Sequence, residues 1–188
     1  MEGYKIIRNI VDKQSLELLK NAMIIARDAV YFMNGVPLDN LNQFSDGLPN
    51  SFPISRAMFT ESLLVTLLPL IEKETGKELF PTYSYGRIYW KGSDMFKHYD
   101  RPSCEYSVSV SISIDPEPWP IWMAGDELIL FPGDLVIYKG LEVEHWRETY
   151  HGNEQCQIFL HYVDKNGPFA EWKFDNRPVL GLQEANPA

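Results

Sequence analysis

The sequence predicts an α+β chain that is mainly β, with helices first and an antiparallel sandwich or barrel after them. Two observations support this fold class. Apolar residues recur at helical spacing in the first third of the chain, whereas they alternate with polar residues after Phe80. Turn sequences such as Pro132-Gly133-Asp134 then follow one another closely, which suits antiparallel strands and leaves no room for βαβ crossovers.

The length of 188 residues predicts one domain, 1–188, with a helical support region over 1–80, a β core over 81–165 and a C-terminal tail over 166–188. The 17 basic and 26 acidic residues give a net charge of −9, which argues against nucleic-acid and anionic-membrane partners. There are only two cysteines, and no apolar run approaches the length of a membrane span. We therefore expect a cytoplasmic protein.

Two helices are predicted in the first third. Asp12 is a plausible N-cap for the first helix, whose apolar stripe runs from Leu16 to Val30. A polar loop over 34–53 separates it from a second helix that fits residues 55–75. Gly76 then lies where a C-cap glycine belongs, and Pro69 within the stripe predicts a kink.

The clearest predicted strand runs from Ser107 to Ile114, where serines alternate with valines and isoleucines. Its apolar residues would face one layer, and its serines would face either the mouth of a barrel or solvent. Further strands are predicted over Thr82–Trp90, Glu127–Phe131, Leu135–Tyr138, Val143–Arg147 and Gln155–Val163.

Two histidines and a carboxylate are candidate metal ligands. His98 and Asp100 form a His-x-Asp triplet, and on a strand residues i and i+2 point the same way. His145, near the end of an apolar segment, can supply the third ligand. Two histidines and one carboxylate form the facial triad of non-haem Fe(II) oxygenases, which leaves open positions on the metal for a cosubstrate and O₂.

Other interpretations fit the same residues. His98 and Asp100 can form a structural hydrogen-bonded pair, and His145 can be a buried core histidine. His151 competes as third ligand, but it precedes a hairpin turn at Gly152 and is expected outside the metal centre. His161 is expected to be a core or pocket-lining histidine. Three tryptophans line either a substrate groove or the core, namely Trp119, Trp122 and Trp146.

The segment 83–163 resembles the Fe(II)/2-oxoglutarate-dependent dioxygenases, in particular their prolyl 4-hydroxylase-like branch. The resemblance rests on Tyr89-x8-His98-x-Asp100, on the turn and strand Phe131–Tyr138, and on His145 at the position of the family's distal histidine. It implies a double-stranded β-helix, a distorted jelly roll, with the N-terminal helices packed on one sheet. It also implies Fe(II) bound by His98, Asp100 and His145, which would be the catalytic residues.

The resemblance is incomplete where 2-oxoglutarate would bind. The branch usually has a Lys or Arg where this chain has Glu154 or Gln155, and its Gly-Gly-Glu-Thr stretch is absent. We expect Arg147 to replace that cation, because a guanidinium can hold a carboxylate through two hydrogen bonds. Tyr89 and Gln157 are expected to donate further hydrogen bonds to the cosubstrate.

By resemblance, the chain is expected to hydroxylate an unactivated C–H bond, in a prolyl or other peptide or amino-acid side chain, with release of succinate and CO₂. The implied cofactors are Fe(II) and 2-oxoglutarate, with ascorbate as an accessory, and the partners are O₂ and a peptide or small-molecule substrate. Asp100 favours hydroxylation over halogenation, since it occupies the position where halogenating relatives bind chloride. The missing cation leaves open a cupin-like metal-binding module or isomerase, and a purely structural interaction domain is a third interpretation.

Overall fold

The computed structural model describes residues 3–182, which form mostly antiparallel sheet with two long helices. The helices are α1 (Lys13–Met33) and α2 (Met58–Thr75). The strands are β1 (Tyr4–Ile7), β2 (Ser51–Ser55), β3 (Leu79–Trp90), β4 (Met95–His98), β5 (Tyr106–Asp115), β6 (Ile121–Met123), β7 (Asp126–Leu128), β8 (Leu135–Tyr138), β9 (His145–Arg147) and β10 (Glu154–Asp164).

These strands form two antiparallel sheets. One has six strands in the order β1-β8-β5-β10-β3-β2, and the other has four in the order β4-β9-β6-β7. From β3 onwards the chain passes back and forth between the sheets, which is consistent with a jelly roll. The predicted class, mainly antiparallel β structure with helices in the first third of the chain, is therefore confirmed, although β1 precedes α1 and β2 lies between the helices.

Both helices pack on the outer face of the six-stranded sheet and begin or end as their sequence indicates. The side chain of Asp12 caps α1 by accepting hydrogen bonds from the backbone N–H groups of Gln14 and Ser15, at 2.9 and 3.0 Å. Gly76 ends α2 in the left-handed conformation, with φ 69°. Pro69 lies inside α2, and the kink expected there stays a prediction.

The alternation in β5 separates two environments. Val108, Val110 and Ile112 lie in the core beneath the helices. Ser107, Ser109 and Ser111 are fully buried on the opposite face, between the two sheets. For these three serines the expected alternative of solvent exposure is thus wrong, whereas Ser113 is partly exposed. This inner face carries polar residues of the candidate site.

Several short strands differ from the prediction. The sequence did not indicate β1, β2 or β6, and β7 and β9 are shorter than expected. β1 and β2 are the edge strands of the six-stranded sheet. β2 contains Pro53, which has no backbone N–H, and an edge strand tolerates this because it pairs on one side only. These strands are defined by their partners rather than by their own alternation.

The described part of the C-terminal region, up to residue 182, packs on the domain. Arg177 donates to Glu61 of α2 at 2.6 Å in a buried ion pair. Asp175 accepts hydrogen bonds from Arg56 and, at 3.0 Å, from Arg101. Residues 183–188 of the predicted tail lie outside the described residues, and the predicted division of the domain stays a prediction. Neither helix in the described range is long and apolar enough to cross a bilayer.

Candidate active site

Three side chains from separate parts of the chain meet at one end of the four-stranded sheet. β4 ends at His98 and β9 begins at His145, and these two residues are paired across the strands. The Oδ1 atom of Asp100 lies 3.9 Å from Nε2 of His98 and 3.6 Å from Nε2 of His145. The three groups offer ligand atoms within 4.8 Å of one another, close enough to hold one metal ion.

The convergence of His98 and Asp100 has a different origin from the one expected. Asp100 lies beyond the end of β4, so strand alternation does not orient it. Its backbone N–H instead donates to the carbonyl of Gly140 at 2.8 Å. A Cβ atom at position 140 would lie 2.6 Å from Oδ2 of Asp100, so this close approach requires glycine.

Hydrogen bonds behind the three side chains fix how they are presented. Nδ1 of His98 lies 2.8 Å from the carbonyl of Phe96, and Nδ1 of His145 lies 3.0 Å from the carbonyl of Val143. A carbonyl only accepts, so Nδ1 of each ring is the donor and Nε2 is the atom presented to the other candidate ligands. Burial lowers the pKa of His145, which favours the neutral imidazole that a metal needs.

Asp100 is oriented in the same way. Ser107 Oγ donates to its Oδ2 at 2.7 Å, which leaves Oδ1 directed toward the two histidines. The same hydroxyl lies 3.0 Å from Nδ1 of His161. Burial lowers the pKa of His161 to about 4, so this histidine is neutral at physiological pH. His161 therefore lines the pocket, one of the two roles expected for it.

The three candidate ligands open into a cavity of about 320 Å³ between the sheets. Its other walls include Leu48, Tyr85, Arg87, Tyr89, Tyr138 and His161. Arg87 and Tyr85 were not singled out from the sequence. A sequence pattern could have indicated them. Every second residue of a strand points to the same face, so a pocket role for Tyr89 predicts the same role for Tyr83, Tyr85 and Arg87 on β3.

The residues expected to bind 2-oxoglutarate are buried beside this cavity. Tyr89 lines it and packs edge-on against Trp119, with ring centroids 5.0 Å apart. The guanidinium of Arg147 lies 4.8 Å from the Trp119 ring, and its Nη1 donates to the Trp119 carbonyl. Gln157 lies on the inner face of β10, opposite Ser111 of β5. Neither Arg147 nor Gln157 lines the cavity itself.

Buried donors in this inner region lack hydrogen-bond partners. Among the described residues nothing pairs with Nε and Nη2 of Arg147, with Nε2 of Gln157 or with Oγ of Ser111. Burial lowers the pKa of Arg147 to about 10, which still leaves it charged at neutral pH. An unpaired buried cation is costly, and such groups indicate a binding site for an anion.

The remaining candidates lie elsewhere. His151 is exposed and lines a separate cleft with Trp119 and Trp122, as its place before the hairpin turn predicted. Trp122 stacks on Trp146 with ring centroids 5.6 Å apart, and Lys97 Nζ lies 4.1 Å from the Trp146 ring. None of the three tryptophans lines the cavity that holds the candidate ligands.

A jelly roll with a His–Asp–His group in its cavity is the architecture of the Fe(II)/2-oxoglutarate oxygenases, and solved structures of that class share this fold. HygX from Streptomyces hygroscopicus, with nickel and 2-oxoglutarate bound, gives a TM-score of 0.65 at 11% identity, over 87% of this chain and 84% of that one. A Pseudomonas putida prolyl-4-hydroxylase gives 0.63 at 15%, over 86% and 92%. The viral collagen prolyl hydroxylase of Paramecium Bursaria Chlorella virus-1 gives 0.64 at 10%, over 86% and 95%.

At sequence identities this low, the structural similarity establishes the fold alone. The resemblance predicted from the sequence is therefore confirmed for the fold. No protein-family model and no curated protein sequence matches the chain. The metal ligands and the 2-oxoglutarate residues expected from the sequence accordingly remain proposals.

Proposed function

We propose that this chain is an Fe(II)- and 2-oxoglutarate-dependent dioxygenase that hydroxylates an unactivated C–H bond of a small molecule or peptide, with release of succinate and CO₂. The observation that carries the proposal is the convergence of His98, Asp100 and His145 at a cavity within the shared fold. We further propose that the jelly roll is a double-stranded β-helix, which the alternation of strands between the two sheets supports.

His98 and His145 would bind the metal through Nε2, and Asp100 through Oδ1. Bound Fe(II) would supply the activation of O₂, with 2-oxoglutarate as the electron donor. The carbonyls of Phe96 and Val143 accept from Nδ1 of the two imidazoles and so leave Nε2 as the atom available to the metal. Ser107 holds the carboxylate and leaves one oxygen for the metal. The residues present therefore fit a facial Fe(II) site.

The distal carboxylate of 2-oxoglutarate is proposed to pair with Arg147. Its two unpartnered nitrogens need an anion, and the free donors of Gln157 and Ser111 on the inner face add further hydrogen bonds. Tyr89 lines the cavity and packs on Trp119, the residue that Arg147 contacts, so its hydroxyl is proposed to donate a further hydrogen bond to the cosubstrate.

One observation favours a second candidate, a metal-binding jelly roll without oxygenase chemistry. Gln155, which replaces the family's usual cation, is uncharged, and its Oε1 accepts from the backbone N–H of Trp119 at 3.1 Å. If Arg147 does not bind 2-oxoglutarate, no cation stands at the usual position to do so. The two candidates differ in whether the cosubstrate chelates a protein-bound metal.

The test is an anaerobic titration of the metal-free protein with Fe(II) and then 2-oxoglutarate, followed by visible absorption. We expect a weak charge-transfer band that needs both components, and succinate formation once O₂ is admitted. His145→Ala should remove both signals. His151→Ala is the matched control, because His151 is exposed and outside the cavity, and it should retain both.

Each outcome selects one candidate. Tight metal binding without the band would replace the oxygenase proposal with the metal-binding module. No metal binding, or an undiminished band in His145→Ala, would remove the triad.

A further inference from the structure

The cavity wall also carries a cation, Arg87, that belongs neither to the candidate metal ligands nor to the proposed 2-oxoglutarate site. Arg87 of β3 is 9% exposed and lines the cavity that holds His98, Asp100 and His145. It forms a bidentate ion pair with Asp46, in which Nη1 donates to Oδ1 and Nη2 donates to Oδ2, each at 2.7 Å. Ser51 and Tyr85 each accept a further hydrogen bond from it, both at 2.8 Å.

The two partners of this ion pair differ in how firmly they are held. Arg87 belongs to an inner strand, flanked by β2 and β10, and is held by Ser51 of β2 and by Tyr85 of its own strand. The Tyr85 hydroxyl also donates to Asp46. Asp46 lies on the loop between α1 and β2, and its side chain is 41% exposed. Leu48, two residues further along the loop, lines the cavity. The loop therefore places a carboxylate on an arginine at the border of the candidate active site.

We propose that Arg87 and Asp46 recognise the charged groups of a free α-amino acid, the substrate class of the proposed oxygenase. The carboxylate of Asp46 occupies the place that the substrate carboxylate takes on Arg87. Asp46, displaced on its loop but still close by, then pairs with the substrate ammonium. The reaction assigned to this ligand rests on the proposed function, whereas the binding step does not.

The charges favour an amino acid over a plain acid. Hydrogen bonds from Arg87 and Tyr85 outweigh burial and lower the pKa of Asp46, so this carboxylate stays charged. An entering acid would leave two carboxylates side by side with one guanidinium, and like charges at short range repel. An α-amino acid brings its own cation, and each of the four charged groups then has an opposite neighbour.

The size of the cavity agrees with a small ligand. Its volume of about 320 Å³ lies at the lower end of the roughly 300–1,000 Å³ found for small-molecule sites. That volume must hold the keto-acid end of the cosubstrate beside the metal as well as the substrate. A free amino acid fits this limit better than a peptide segment with several ordered residues.

In the first experiment, each standard L-amino acid is titrated into the protein, which has been loaded anaerobically with Fe(II) and 2-oxoglutarate, and its affinity is measured by isothermal titration calorimetry. For the tightest binder, the N-acetyl derivative and the carboxamide are titrated in parallel. We expect each derivative to bind roughly thirtyfold more weakly or worse, because each removes one partner of a charge pair. Equal binding of either derivative, or no binding by any amino acid, overturns the proposal.

Three variants assign the effect to the pair. Arg87→Gln should weaken amino-acid binding by roughly thirtyfold or more. Asp46→Asn should reduce the difference in affinity between the amino acid and its N-acetyl derivative, because the substrate ammonium loses the carboxylate that it pairs with. Arg27→Gln is the matched control and should bind as the natural protein does, because Arg27 pairs with Asp28 and Glu154 and does not line the cavity.

Failure of this inference can be told from failure of the proposed function. If Fe(II) and 2-oxoglutarate do not bind, the proposed function fails, and the amino acids are then titrated into the metal-free protein to test the pair alone. If both bind and no amino acid does, only the inference fails. If Arg87→Gln lowers the affinity for 2-oxoglutarate instead, Arg87 belongs to the cosubstrate site and the inference is overturned.

Discussion

Two regions between the sheets satisfy their polar groups in opposite ways. The metal end is the region of His98, Asp100 and His145, and the inner end is the region of Arg147 and Gln157. At the metal end, His98, Asp100 and His145 each have a protein partner for the atom that does not face the others. At the inner end, Arg147 and Gln157 keep donors without a partner in the described range of the chain. The side chains of the metal end are therefore oriented by the protein alone, whereas donors at the inner end lack acceptors until a ligand binds.

The difference indicates which steps are prearranged. A group whose second atom is already bonded does not need to reorient when a metal arrives, so its geometry is set by folding. A buried donor without a partner destabilises the folded protein until something supplies an acceptor. We therefore expect ligand-free stability to be limited by the inner end, and metal affinity to depend on the hydrogen bonds at the metal end.

The largest expected effect comes from Arg147→Met, which should act in opposite directions on stability and on binding. Removing a buried charge without a full set of partners should raise the melting temperature of the ligand-free protein. The same change should weaken 2-oxoglutarate binding by about 2–5 kcal/mol, because the carboxylate loses its cation. Thermal melting with and without 2-oxoglutarate, in the presence of Fe(II) under nitrogen, measures both effects.

Arg177→Met is the matched control, because Arg177 is also buried but is paired with Glu61. Breaking a buried pair leaves the other charge alone, so this variant should lose about 3–5 kcal/mol of stability. A lower melting temperature in Arg147→Met as well would show that Arg147 is satisfied without a ligand, and the contrast between the two ends would be lost.

A smaller effect is expected from Ser107→Ala at the metal end. The substitution removes the hydrogen bond to Oδ2 of Asp100 and lets the carboxylate turn. Loss of such an orienting partner typically lowers metal affinity about 10–100-fold. Ser109→Ala is the control from the same face of β5, since Ser109 bonds Gln157 instead. Fe(II) titration of both variants is the measurement, and equal affinities would show that Asp100 is oriented by its backbone alone.

Regular elements and local motifs could be predicted from the sequence. The cap at Asp12, the end of α2 at Gly76 and the strands around Tyr89 and Ser107 follow from patterns only a few residues long. The meeting of His98 with His145 was expected from residue type and spacing, and the register of β4 with β9 brings them together.

What could not be predicted depends on contacts between distant segments. Asp100 is oriented by Gly140 and Ser107, which no local pattern connects to it. The pairing of Asp46 with Arg87 joins a loop to a strand 41 residues away, and although the alternation along β3 points to Arg87, nothing in the sequence connects it to Asp46. Short edge strands such as β1 are likewise defined by the strand they pair with.

The smallest expected effect concerns the pH dependence of stability, through His161 beside the metal end. Burial lowers its folded-state pKa to about 4, whereas an unfolded histidine titrates near 6.5. Protons therefore bind the unfolded chain first, so stability is complete above about pH 6.5 and falls as the pH drops toward about 4. Between about pH 7.5 and 5.5 the loss from this residue should be roughly 1.4 kcal/mol. Urea unfolding of the metal-free protein at both pH values should show a loss of stability that is about 1.4 kcal/mol smaller in His161→Gln, with the contribution of His145 remaining. The loss should be unchanged in His151→Gln, whose histidine is exposed. An unchanged loss in His161→Gln would mean that His161 is protonated in the folded protein, and the metal end would then carry a cation that needs an anion, as the inner end does.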